Sequence, residues 1–280
     1  MVLYVGEAIR EFTKNWKYAA TATGIIALYI GLMTVVFTIT LKSGASFWHA
    51  LAITMPLTSL TGFLYYLAQI YIYKQVMELK DSITKTLMDA VRGLLAIFTV
   101  SIGASIIAML LFYPLMLLLA TIGAKTLADP TTGILAVVAS IIAIVLIGII
   151  VYIATKIMYV PVLAAKGYTT SEILAKIRRI NLKPALSAFA GMAATYVAIS
   201  IIVSIIIQLT LVKFLKSFVN TLVIDATFHT IVNEIGPIQI AELVITSWFT
   251  LLLGTILWFF PYVSAKDAIP EEEGMSSKDL

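Results

Sequence analysis

The chain has 280 residues, of which 61% are hydrophobic and 12% charged, against roughly 45–50% and about 25% in soluble domains. With a mean hydropathy of +1.02, this excludes a soluble globular protein. There is no cysteine, which removes disulfides, thiolate metal sites, iron–sulfur clusters and cysteine nucleophiles. The net charge of +4, from 19 Lys/Arg and 15 Asp/Glu, reads in a membrane protein as contact with anionic headgroups rather than nucleic acid.

In chain order, the first stretch carries Val5, Ile9, Phe12 and Trp16, one apolar stripe along a helix, with Arg10, Lys14 and Lys17 opposite. It leads into an apolar run over about 18–41. That run is longer than the roughly 7–15 residues of a signal-peptide core, so it is expected to remain as a spanning helix. Within it, Ala20, Gly24, Ala27 and Gly31 line one face with small residues, a pattern that lets helix backbones approach in lipid. A second run covers about 47–73 and contains Pro56.

Ile83, Leu87 and Val91, opposite Lys85, Asp89 and Arg92, precede a third run at about 93–120, which contains Pro114. A fourth covers about 133–160, with Lys156 near its end, where its stem can snorkel to the headgroups. Next, Ile173, Ile177 and Ile180 lie opposite Lys176, Arg179 and Lys183. Thr169 with Glu172 fits a capping box at the start of this helix, and Pro184 is expected to end it. The fifth run, about 185–212, carries Ser187, Gly191 and Thr195 as a second small-residue face, and the sixth covers about 238–263. Packing within one bundle and a face for another subunit both fit the small-residue faces. Residues 266–280, with Glu271, Glu272 and Glu273, read as a short flexible cytoplasmic tail.

These runs predict an all-α polytopic membrane protein: one six-helix domain over 1–265, with amphipathic interfacial helices before spans 1, 3 and 5. The three hairpins so formed suggest an approximate threefold repeat. Lys42, Lys125, Lys213 and Lys216 flank one side and the other fifteen Lys/Arg flank the opposite side. The positive-inside rule therefore places both termini in the cytoplasm. Trp16, Tyr18, Tyr71, Tyr73, Tyr159, Trp258, Phe260 and Tyr262 are expected as an inner aromatic belt, and Phe47 and Trp48 as an outer one. The membrane expected is the cytoplasmic membrane of a prokaryote.

The sequence Tyr159-Val160-Pro161-Val162-Leu163, then Lys166-Gly167-Tyr168, then a capped helix with Ile173, Leu174, Arg178 and Arg179, then Asn181 and a new span, resembles the membrane domain found in some glycerophosphoryl diester phosphodiesterases and in related prokaryotic membrane proteins. Lys166 stands where that family usually carries an acidic residue, and Arg178 or Arg179 near its usual serine. The resemblance covers about 159–203 and implies a six-helix membrane domain. It implies no hydrolase activity, since the phosphodiesterase chemistry of such fusions resides in a separate soluble barrel.

The middles of all six runs lack Asp, Glu, Lys, Arg and His. Buried charge is what proton-coupled transporters, voltage sensors and most pumps use. Gln69 and Gln208 are the notable amides. Asp225 and His229 stand four apart, on one helical face, and with Glu234 or His49 offer a hard or borderline metal set. They equally suit a hydrated outer segment, with Phe214, Phe218, Leu222 and Val223 as its apolar stripe. No metal or cofactor is expected. Lys176, Arg178, Arg179 and Lys183 are expected at the headgroups. The function this predicts is non-enzymatic: a scaffold, an accessory subunit of a membrane complex or a lipid-organising protein. The partners expected are the anionic bilayer surface and other membrane subunits, with no nucleic acid. The alternative is a transporter or channel for a neutral or lipidic solute, routed through the kinked second and third spans.

Overall fold

A computed structural model describes residues 2–44, 47–124, 130–219 and 237–270. Nearly all of them are helical, and no strand occurs among them. The helices are α1 (Val2–Lys42), α2 (Phe47–Val76), α3 (Ile83–Ala124), α4 (Pro130–Ile157), α5 (Val160–Ala165), α6 (Thr170–Arg179), α7 (Leu182–Val219), α8 (Pro237–Gly254) and α9 (Phe259–Ala268), with a 3₁₀ turn at Thr255–Trp258 between the last two. Five helical stretches among the described residues are long and apolar enough to cross a membrane: Tyr4–Thr40, Ile83–Ile122, Gly133–Ala165, Leu182–Ile205 and Ile240–Ala268. The chain is an all-α multi-pass membrane protein. The second expected span, 47–73, lies within α2, a continuous helix of 30 residues and hence about 45 Å long. It is not among the five.

The sequence suggests an interfacial helix before each odd-numbered span, but the structure separates only the third. Residues 2–17 run unbroken into the first span as α1, and 83–92 run into the third as α3. No proline or left-handed residue interrupts either junction, so the backbone hydrogen-bond ladder simply continues. Before the fifth span the ladder does break. Ile180 caps α6 in an extended conformation, with ψ of 130°. Asn181 then caps α7, its Oδ1 accepting the Lys183 amide at 3.2 Å. Pro184 is therefore not what ends α6. It sits in the first turn of α7, where a missing N–H leaves no bond unmade.

The chain divides into two units, Met1–Leu87 with Ser187–Ser264, and Met88–Leu186 with Ala265–Leu280. In the first, α1 packs along α2 and α8. Its contact face holds Ala19, Ala22, Thr23, Ile26 and Ala27, all buried. The sixth span is not one straight helix. Pro261 cannot donate to the carbonyl four residues back, and the chain before it tightens into the 3₁₀ turn Thr255–Trp258, where the Phe259 amide bonds back to Ile256.

In the second unit α5 is buried along its whole length. Gly167, at φ +84°, turns the chain from α5 toward α6. That left-handed position suits a residue without Cβ, and its amide closes on the Ala164 carbonyl at 2.9 Å. Higher along the spans packing is sparse. Only 6% of the most apolar window of α3 and 11% of that of α4 are buried by the protein. Leu110, Tyr113, Ile144 and Ile147 are among the side chains left exposed there. Ser and Thr hydroxyls within the spans bond to their own helix, as in Thr23 to the Ala19 carbonyl at 2.7 Å, Thr99 to Leu95 at 2.8 Å and Ser140 to Ala136 at 2.8 Å. This satisfies the hydroxyl where no water is at hand.

Candidate membrane-surface site

The second unit holds α6 at both ends. At its start, Thr169 and Glu172 form the expected capping box. The Glu172 carboxylate accepts the Thr169 amide at 2.7 Å and its hydroxyl at 2.8 Å, and the Thr169 Oγ1 accepts the Glu172 amide. The Thr169 backbone bond, then its hydroxyl, hold the Glu172 carboxyl below its usual range. Beside this cap, the Thr170 hydroxyl donates to the Arg92 carbonyl of α3 at 3.2 Å. At the other end, the Lys156 ammonium of α4 donates to the Arg178 carbonyl at 3.0 Å. A cation at the C-terminus of a helix is where the macrodipole favours one. One step further, the Asn181 amide bonds the Ala268 carbonyl of α9 at 2.8 Å.

Lys156 therefore does not snorkel. It is 8% exposed and lies over the Tyr152 ring, 4.8 Å from its centroid, because a helix C-terminus and an aromatic face within reach solvate its charge in place of water. The apolar stripe of α6 is likewise turned onto the protein itself, since Ile173, Ile177 and Ile180 are all buried. What the helix presents outward is its polar side. Arg178 and Arg179 are exposed, as is Lys183 in the first turn of α7. Lys176 is half-buried, with its ammonium 4.6 Å from the centroid of the Tyr168 ring. The four expected surface cations thus fall on two consecutive helices, three of them open to solvent.

The first unit contains two further polar constellations. Lys74, 2% exposed at its side chain, donates to Asp81 at 2.8 Å, and Lys85 meets the other carboxylate oxygen at 2.8 Å. The hydrogen bonds from Lys74 and then Lys85 hold the Asp81 carboxyl below its ordinary range, and the trio closes the turn between α2 and α3. The second constellation is aromatic. The Tyr73 hydroxyl donates to the Trp258 carbonyl and accepts from Gln69 at 2.9 Å. The Trp258 indole N–H donates to the Tyr65 hydroxyl at 2.8 Å. Tyr65 and Trp258 meet edge to face at 4.5 Å, and Tyr73 stacks on Tyr262 at 5.9 Å. The Tyr66 hydroxyl, also buried, has no hydrogen-bond partner among the described residues.

This revises the expected inner belt. Tyr73, Tyr159, Trp258 and Phe260 are buried core residues, while Trp16, Tyr18 and Tyr71 are exposed as a belt requires. An aromatic near a span end satisfies either environment, and the sequence has no marker to separate them. The i,i+4 pair Gln69–Tyr73 is the nearest to a signal, since a buried hydroxyl needs such a partner.

The small-residue faces are filled from within the first unit. A Cβ on Gly24 would lie 3.6 Å from Trp248, and one on Gly31 only 2.4 Å from Val244. The Trp248 indole donates to the Ala20 carbonyl at 3.0 Å, and Ala27 is buried beside them. On α7, Gly191 faces Phe260 and Val5, while Ser187 and Thr195 are half-buried. Asp225, His229 and Glu234 lie outside the described residues. Among the described ones, no three His, Cys, Asp or Glu come together as a metal site would need. Compared with protein families, curated proteins and solved structures, the chain matches none.

Proposed function

We propose that the protein lies in the cytoplasmic membrane with both termini in the cytoplasm, and works without a chemical centre as a lipid-organising scaffold whose basic face engages anionic headgroups. The observation that carries this reading is the fixing of α6. Hydrogen bonds from Lys156 and Thr170 tie its two ends to its own unit, while Arg178, Arg179 and Lys183 stay exposed. Cations so presented need little ordering when they meet a charged surface, and preorganisation of that kind raises affinity. The Lys/Arg asymmetry puts this face on the cytoplasmic side. The likeness of residues 159–203 to a membrane domain that accompanies phosphodiesterase chemistry without performing it fits the same reading.

The test is lipid retention. The protein is placed in nanodiscs of phosphatidylcholine with a minor share of phosphatidylglycerol, extracted gently, and weighed by native mass spectrometry. Each cation near an anionic surface contributes about 1 kcal/mol, or roughly fivefold in affinity. The triple change Arg178→Gln, Arg179→Gln, Lys183→Gln is expected to weaken phosphatidylglycerol retention by about a hundredfold. Unchanged retention would overturn the reading.

The transporter reading has one observation in its favour, the buried and unpartnered hydroxyl of Tyr66 on α2, which a solute with a hydrogen-bonding group would satisfy. Solute flux into proteoliposomes that Tyr66→Phe abolishes would select it over the scaffold.

A further inference from the structure

We infer that Arg92, Glu172 and Lys176 form a seat for one phospholipid headgroup that carries a primary ammonium beside its phosphate, as phosphatidylethanolamine does. This deepens the headgroup reading above by naming a second lipid class, and rests on it only for the membrane setting, since the side chains are different ones. All of them belong to the second unit. Arg92 is fixed from behind. Asp89, one turn earlier on α3 and fully buried, accepts its Nη1 at 3.2 Å, while the Arg92 side chain stays 35% exposed. No other bond holds the rest of its fork among the described residues. Its carbonyl accepts the Thr170 hydroxyl at 3.2 Å, which sets the first turn of α6 against this point of α3. Glu172 is fixed as well. One carboxylate oxygen accepts both the amide and the hydroxyl of Thr169, and the other accepts nothing among the described residues. After those two bonds, the charges of Lys176 and Arg92 also hold the Glu172 carboxyl down, so both cations lie within electrostatic reach of it. Lys176 stands one turn further along α6, over the Tyr168 ring.

The seat thus presents both signs of charge side by side, unlike the all-positive face of Arg178, Arg179 and Lys183. A purely anionic headgroup would meet the Glu172 carboxylate as a like charge, which is unfavourable. A zwitterion meets complementary charge at both ends. Its phosphate suits the open arms of the Arg92 fork and the Lys176 ammonium, and its ammonium suits the open oxygen of Glu172. A primary ammonium can donate to that oxygen, whereas the trimethylated nitrogen of phosphatidylcholine cannot. The depth is that of a lipid. Arg92 is the last charged residue before the uncharged stretch 93–124, hence at headgroup level. Leu95 and Phe98, just beyond it on α3, are exposed to meet acyl chain.

The test is selectivity among N-methylated headgroups. The full-length protein is placed in phosphatidylcholine nanodiscs with equal minor shares of phosphatidylethanolamine and its mono- and dimethyl derivatives, and retained lipid is weighed by native mass spectrometry. Each methyl removes one donor and adds bulk, so wild-type retention is expected to fall along the series, by about fivefold overall, the scale of one exposed ion pair. Equal retention across the series overturns the seat, and this arm needs no variant. Glu172→Gln keeps the capping box, which accepts Gln at that position. It is expected to level the series without lowering phosphatidylglycerol retention. An unchanged slope overturns the role of Glu172. Arg92→Lys keeps a cation beside buried Asp89 but loses the fork, and is expected to weaken the whole series several-fold while preserving its slope. Unchanged retention removes Arg92 from the seat and overturns it. Soluble glycerophosphoethanolamine in excess is expected to displace none of the retained lipid, and displacement would show a site for the free phosphodiester instead. Phosphatidylglycerol retention indifferent to the Arg178, Arg179 and Lys183 changes overturns the anionic-headgroup reading alone, and a slope that persists beside it leaves the seat standing.

Discussion

Two glycines on α1, seven residues apart, meet α8 very differently. A Cβ at Gly24 would sit 3.6 Å from the Trp248 indole nitrogen, an ordinary contact, whereas at Gly31 it would fall 2.4 Å from a Val244 methyl. Replacing a helical glycine with alanine gains up to about 1 kcal/mol in backbone terms. At Gly31 that gain is outweighed by a clash costing about 1–3 kcal/mol, because a β-branched valine in a helix has one good rotamer and cannot swing aside. Gly24→Ala is expected to hold or raise the thermal midpoint in detergent, and Gly31→Ala to lower it by several degrees. Equal shifts would mean that α1 and α8 do not pack in this register. The 4-3-4 spacing of Ala20, Gly24, Ala27 and Gly31 was legible in the sequence as a packing face. Its partner was not, because spacing describes one helix and the contact belongs to two.

At the scale of elements, α6 shows what local rules can and cannot reach. Its start was written in Thr169 and Glu172, and its apolar stripe in Ile173, Ile177 and Ile180, since capping and periodicity are properties of a few adjacent residues; that the protein rather than lipid covers the stripe was not. Its fastening was not, because Lys156 and Arg92 lie far away in the chain and find it only in three dimensions. The 3₁₀ turn at Thr255–Trp258 falls between these cases: Pro261 is visible in the sequence, yet a proline in a membrane helix can kink it, tighten it or leave it straight, depending on what its neighbours bond. The fastening of α6 has a measurable consequence. Thr169→Ala removes one side of the capping box, at a cost of about 1 kcal/mol. Amides in the first turn of α6 are expected to exchange with deuterium roughly fivefold faster, while those of α7 keep their protection. Uniform acceleration across both helices would show that the cap stabilises the unit as a whole rather than α6.

For the whole molecule, composition and hydropathy established the class before any motif did, because the bilayer admits so few solutions for a chain this apolar. The division into two units was not legible, since the charged stretches near Leu87, Leu186 and Ser264 mark the ends of spans and do not say which spans pack together. Nor was the thin packing along α3 and α4, whose apolar windows look the same whether lipid or protein covers them. In the proposed orientation α6 and its cations face the cytoplasm, the side on which the positive-inside rule and anionic lipid would favour them. Single cysteines introduced into this cysteine-free chain and challenged with a membrane-impermeant maleimide test that placement most directly. Ala175→Cys and Lys80→Cys are expected to label only after the cells are permeabilised, and Ala45→Cys and Asn220→Cys to label in intact cells. Labelling of Ala175→Cys from outside an intact cell would put the basic face on the wrong side of the membrane and contradict the account.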